Sequence, residues 1–252
     1  MTITFVGTGS GKTSLKRFHS SILISDNNYN FLIDCGDGIS RALLTQDINY
    51  NRIDYILITH FHPDHYSGLP TLLINMKLSE RQKPLTIYVH HKMVGFTESL
   101  LLHSYLSGLS KQFDLEILPY QFDRDTHISN NIKFSAAQNS HIINKHDIPA
   151  SDIFYSSSIL FELNNKNIFY TSDIGKPEDL FLFNNKVIDI LISETTHVPL
   201  KTIFEAADLQ KIKKVFLTHI SDEDEPSLLS ELNSINFSGE VKITSDGLKI
   251  II

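Results

Sequence analysis

Thr59-His60-Phe61-His62-Pro63-Asp64-His65 follows the apolar run Tyr55 to Ile58 and precedes a helical pattern that begins at Leu69. The motif therefore leaves the carboxyl end of a strand. In extended backbone, residues two apart face the same side, so His60 and His62 can present their imidazoles together. Asp64 and His65 fall at the turn into the helix, where the change of direction aims a second ligand pair at a neighbouring point. Four side chains of metal-ligand type within residues 60–65 can serve two adjacent ions.

Working outward, short β-branched and aromatic runs recur at 2–6, 21–25, 29–33, 54–58, 85–89, 131–136, 158–163, 167–171, 188–193, 214–218 and 241–251. Each is read as a strand. Helical spacing is read over Gly38 to Thr45, Leu69 to Leu78, Lys92 to Tyr105, Pro177 to Phe183, Ile203 to Ile212 and Pro226 to Leu232. Strands come in adjacent pairs early and in the middle, then alternate with helices, which is the pattern of mixed sheets covered by helices on their outer faces. The two halves share this rough order without a sequence repeat. No Gly/Ser-rich linker, charge block or low-complexity tract interrupts the chain, and residues 1–252 are expected to form a single domain.

The 252 residues are 41% apolar and 20% charged, enough to bury a core. With 22 basic against 29 acidic residues the formal charge is -7, so the average field repels a polyanion, although a local basic groove can still attract one. The single Cys35 allows no internal disulfide and fits a reducing compartment. Neither an apolar leader nor a run of ~20 apolar residues is read. The expectation is a cytoplasmic protein with no membrane partner, and the sequence leaves a homodimer open.

His60-Phe61-His62-Pro63-Asp64-His65 resembles the HxHxDH signature of the metallo-β-lactamase superfamily. The resemblance implies an α/β fold of αββα type, a sandwich of two mixed β-sheets flanked by helices. It also implies three further ligands, each with one clean candidate: His141 in Gln138-Asn139-Ser140-His141, Asp173 ending Ile168 to Asp173, and His219 ending Val215 to His219. His146 is a nearby alternative to His141. Carried over, His60, His62 and His141 would bind one zinc and Asp64, His65 and His219 the other, with Asp173 bridging. Such a pair activates water and stabilises an attacked phosphoryl or carbonyl group. Manganese or iron fits similar ligands.

Within the superfamily, Phe5-Val6-Gly7-Thr8-Gly9-Ser10-Gly11 and Asp34-Cys35-Gly36-Asp37-Gly38 resemble ribonuclease Z and the phosphonate-pathway cyclic phosphodiesterases. Glycine-rich turns would let the first loop pass close to the metals, with Lys12, Arg17 and Ser20 as substrate contacts. A P-loop reading of Gly11-Lys12-Thr13 fails because Val6 stands where that motif needs glycine. Ser193-Glu194-Thr195-Thr196-His197 resembles the His-Glu-Ala-Thr region of ribonuclease Z, where a Glu and a His assist proton transfer, although its first position is serine here. Asp64, Glu194 and His197 are accordingly the residues assigned to catalysis. Residues 91–112 are read either as a lid or as a core helix.

Other departures bear on substrate. The glycine- and basic-rich arm with which ribonuclease Z grips tRNA is not read, His90-His91 stands where that family commonly has Gly-Pro, and Tyr120-Gln121-Phe122 and the 144–157 loop are unlike a basic RNA platform. With the acidic balance, these favour a small or cyclic phosphodiester over RNA. The expected activity is a dinuclear metal-dependent phosphodiesterase. The alternatives are a ribonuclease Z-like tRNA 3′ endonuclease, a lactone or thioester hydrolase on the same core, and a non-catalytic metal-binding scaffold.

Overall fold

The computed structural model describes residues 1–26, 28–106, 108–129, 132–142 and 154–252. The chain forms two compact units, Met1–Tyr120 with Ser245–Ile252, and Gln121–Thr244.

The first unit holds β1 (Thr2–Gly7), β2 (Ser21–Ser25), β3 (Asn30–Ile33), α1 (Ile39–Thr45), β4 (Tyr55–Leu57), α2 (Pro63–Tyr66), α3 (Leu69–Leu78), β5 (Leu85–His90), α4 (Val94–His103) and β6 (Leu115–Tyr120). The second holds β7 (Asp125–Ser129), β8 (Ile132–Gln138), β9 (Ser157–Leu163), β10 (Lys166–Tyr170), β11 (Ile190–Glu194), α5 (Leu200–Leu209), β12 (Lys214–Thr218), α6 (Glu225–Ser234) and β13 (Glu240–Ile243). The chain then returns to the first unit as β14 (Lys249–Ile251). Each unit has a seven-stranded mixed sheet, in the orders β14-β1-β2-β3-β4-β5-β6 and β13-β12-β11-β10-β9-β8-β7.

In each sheet the first three pairings in chain direction, β14/β1, β1/β2 and β2/β3 in one and β7/β8, β8/β9 and β9/β10 in the other, are antiparallel. The remaining three are parallel. The inner parallel strands include continuous apolar runs such as Ile168-Phe169-Tyr170 and Val215-Phe216-Leu217, buried as strands covered on both faces must be. Parallel neighbours also end at the same sheet edge. The exits of β3 and β4 therefore lie together, as do those of β10, β11 and β12, and β1 and β8 share those directions because two antiparallel steps restore the sense.

Three expectations change. The run 241–251 is not one strand but two, β13 beside β12 and β14 beside β1. Pro177–Phe181 is a 3₁₀ helix rather than an α-helix. The edge strands β6 and β7 were not read as strands: β7 is largely polar, and β6, apolar but for Glu116, carries Pro119 and is mostly half-exposed or exposed. Residues 91–112 contribute Leu101, Leu106 and Leu109 to the first unit's core, while Phe96, Leu102 and Tyr105 stay exposed. No helix among the described residues is long and apolar enough to cross a membrane.

The exit of β3 is strapped to α2. Cys35 N donates to His65 O (2.8 Å) and Gly68 N to Cys35 O (3.0 Å). Gly36 is needed there, since a Cβ on it would sit 2.0 Å from the carbonyl oxygen of Asp64. Gly36→Ala should therefore cost roughly 2–3 kcal/mol and displace Asp64 and His65. Urea denaturation checks this, and an unmoved midpoint would contradict it.

Candidate metal centre

In the first unit, His62 caps α2 in extended backbone (φ -71°, ψ 143°), and Pro63 opens the helix. This places Asp64 and His65 in its single turn. His60, Asp64 and His65 are buried and His62 is partly so. His60 Nε2 and His62 Nδ1 lie 3.1 Å apart, and His65 Nε2 lies 3.4 Å from Asp64 Oδ2. Zinc–ligand bonds of 2.0–2.1 Å at a tetrahedral angle require a ligand–ligand edge of ~3.3 Å, and both pairs match it.

Asp34, fully buried at the exit of β3 in left-handed backbone (φ +58°), sets this geometry. It accepts from Thr59 N (2.8 Å), from Thr59 Oγ1 (2.9 Å) and from His65 Nδ1 (2.8 Å). Burial pushes its carboxyl up, against the opposing pull of His65 and Thr59. With Nδ1–H committed to Asp34, His65 is left with Nε2 as its ligand atom.

In the second unit His141 follows β8, Asp173 follows β10, Glu194 ends β11 and His219 follows β12, all at one sheet edge by the direction of those strands. Asp173 lies between two imidazoles, with Oδ2 3.6 Å from His141 Nε2 and Oδ1 3.3 Å from His219 Nε2. All three are buried. Each carboxylate oxygen thus faces a different histidine at a ligand-edge distance, the disposition of a bridging carboxylate. Outer contacts repeat the logic of the first unit: His219 Nδ1 meets Thr196 Oγ1 at 2.6 Å, and Thr196 Oγ1 donates to Glu194 Oε2 at 2.9 Å. His219 itself is left-handed (φ +56°), a conformation that costs energy in a non-glycine residue and clusters at functional sites.

Glu194 is fully buried and also accepts from His197 N (3.0 Å), with its Oε1 3.1 Å from His197 Nδ1. It orients neighbours rather than facing solvent. His197, with a side chain 27% exposed, has its ring centroid 4.6 Å from that of His141 and 6.1 Å from that of His219. The imidazole is therefore beside ligand candidates and not on a remote loop.

The Gly7–Gly11 loop passes beside Asp64, since a Cβ on Gly11 would come 3.4 Å from Asp64 Oδ2. Lys12 beside it is exposed. Arg17 and Ser20 are buried in the loop's own support: Arg17 Nη1 donates to Thr8 Oγ1 (2.6 Å), which donates to Asp246 Oδ1 (2.6 Å), and Ser20 Oγ donates to Gly9 O (3.3 Å). Burial pushes the Asp246 carboxyl up despite these donors and the charge of Arg17. His146 lies outside the described residues, and the 144–157 loop is described only from 154 onward. The sequence reading missed Asp34's role and the part of Thr196. The one signal for Asp34 was its place at a strand end ahead of Cys35-Gly36.

Residues 1–242 match the family described as anti-Pycsar protein Apyc1. The chain belongs to that family. A stretch of 101 residues is 40% identical to a ribonuclease Z of Methanococcus maripaludis, covering 40% of this chain and 33% of the relative. The chain spans less than half the length of the curated relatives it matches. Over 99% of the chain, the metallo-β-lactamase fold protein YhfI from Bacillus subtilis superposes with a TM-score of 0.77 at 19% identity, covering 98% of that protein. A diphosphatase from the PhnP family does so over the whole chain and 97% of its own, with a TM-score of 0.69 at 20% identity. The Apyc1-family chain therefore has the metallo-β-lactamase fold.

Asp34→Asn can present an amide N–H where His65 needs an acceptor. Zinc affinity should fall by ~10–100-fold in a protein that still folds. Chelator competition measures it, and wild-type affinity in the variant would contradict the assigned role.

Proposed function

We propose that this chain is a metal-dependent hydrolase of a small or cyclic phosphodiester and takes two zinc ions. His60, His62 and His141 would hold one ion and Asp64, His65 and His219 the other, with Asp173 bridging. The observation that carries the reading is the set of four ligand-pair spacings, 3.1, 3.4, 3.6 and 3.3 Å, which bracket a tetrahedral edge among mostly buried side chains. Bound there, two zinc ions supply water activation near neutral pH and neutralise charge on the phosphoryl group.

The chain's own residues do the rest. His197 has Nδ1 held by Glu194, and a proton on Nε2 is one it can give to a leaving alkoxide. Lys12, exposed beside the Gly7–Gly11 loop, is suited to a phosphate oxygen. Support for a phosphodiester comes from the relatives' names, a ribonuclease Z and a PhnP-family diphosphatase. The 40% identity to ribonuclease Z keeps tRNA 3′ processing as the second reading, and the net charge of -7 weighs against it.

Bis-p-nitrophenyl phosphate and cyclic nucleotides should be turned over, with activity lost to chelator and restored by zinc. Preferred cleavage of a pre-tRNA trailer would favour the second reading, and preferred lactone turnover would overturn the phosphodiester assignment. His197→Ala should spare the p-nitrophenyl ester, whose leaving group departs unaided, and slow an alkyl phosphodiester by roughly 100-fold. Equal losses on both substrates would contradict its role as proton donor.

A further inference from the structure

Asp179, buried in the 3₁₀ helix Pro177–Phe181, touches no ligand candidate yet bonds the loops that carry two of them. Its Oδ2 accepts from Ser140 N (3.1 Å) and Ser140 Oγ (2.6 Å), in the segment after β8 that carries His141. The same oxygen accepts from Gly175 N (2.9 Å) and Lys176 N (3.3 Å), in the loop that follows Asp173. A helix-capping carboxylate needs only a donor such as Lys176 N. The two bonds to Ser140 have no part in capping, since Ser140 belongs to a different connection.

The two loops also touch without an intervening side chain, because a Cβ on Gly175 would sit 2.4 Å from Ser140 O. Within the second unit, His141 Nε2 and Asp173 Oδ2 are 3.6 Å apart. Ser140 is adjacent to His141, and Gly175 is two residues from Asp173, so one carboxylate oxygen fixes both backbones close to the ligand atoms. Charge-assisted bonds to backbone N–H groups are among the stronger and more directional ones available for this.

We propose that Asp179 is a positioning residue that registers the His141 loop against the Asp173 loop, and so sets the affinity for the metal those two residues share. This rests on the metal-centre reading above. It extends to this protein the rule that groups behind the ligands tune metal affinity as strongly as ~10–100-fold.

The test is chelator competition for zinc on the full chain, beside urea unfolding of the metal-free protein. Asp179→Asn, which keeps the volume but not the charge, should fold and bind zinc about 10–100-fold more weakly. Asp179→Glu should fail to restore affinity because the longer side chain moves the shared oxygen. If Asp179→Asn does not fold, Ser140→Ala carries the test: it removes one donor only and should weaken zinc several-fold. A lowered unfolding midpoint with wild-type zinc affinity in the folded variants would overturn the proposal and leave a capping role. A wild-type chain that binds no zinc would overturn it together with the proposed function, whereas zinc binding with unchanged variants overturns this proposal alone.

Discussion

A histidine can offer a metal only one ring nitrogen at a time, and which one it offers is decided by what holds the other. In the first unit the buried carboxylate of Asp34 holds Nδ1 of His65, and in the second the Thr196 hydroxyl, itself bonded to Glu194, holds Nδ1 of His219. Without these contacts each ring could turn or change tautomer, and ligand spacings near a tetrahedral edge would not persist. The acceptors must be buried and must have their own donors, and the surrounding structure meets both conditions: Thr59 serves Asp34, while Thr196 and His197 serve Glu194.

Topology brings those partners to hand. Parallel strands discharge their carboxyl ends at one edge, which puts Asp34 beside the exit of β4, and Asp173, Glu194 and His219 in a row on β10, β11 and β12. Both sheets follow the same plan of three antiparallel pairings and three parallel ones. The central strand of each sheet is followed by a left-handed residue, Asp34 just past β3 and Ser172 just past β10. Asp34 became a holder of histidine and the residue after Ser172 a candidate ligand, so one backbone plan serves two different tasks.

His60 and His62 were legible from strand periodicity, whereas His141, Asp173 and His219 were named through the family resemblance that the signature at residues 60–65 carries. The strands at the sheet centres were legible as continuous apolar runs. Edge strands β6 and β7 were not: β7 is largely polar, and Pro119 in β6 argues against a strand, although an edge strand tolerates it. The division of 241–251 into β13 and β14 depends on pairing partners more than 200 residues away in the case of β1 and β14, which no local pattern encodes. The holders Asp34, Thr196 and Asp179 escaped a reading by motif because each acts on a residue distant in sequence, and an isolated Asp or Thr in a loop is usually a turn or capping residue. Arg17 and Ser20, read as substrate contacts from their place near a glycine-rich loop, are buried and bond Thr8 and Gly9 of that loop.

The proposed function requires these buried ligands to hold a pair of ions bridged by Asp173. Elemental analysis of the chain purified without chelator, in parallel with Asp173→Ala, tests it most directly. The wild type should hold close to two metals per chain, and a variant that still folds about one or fewer, because two ligand sets joined by a bridging carboxylate exceed what one tetrahedral ion needs. A wild-type chain with no bound metal, or a variant that retains two, would contradict it.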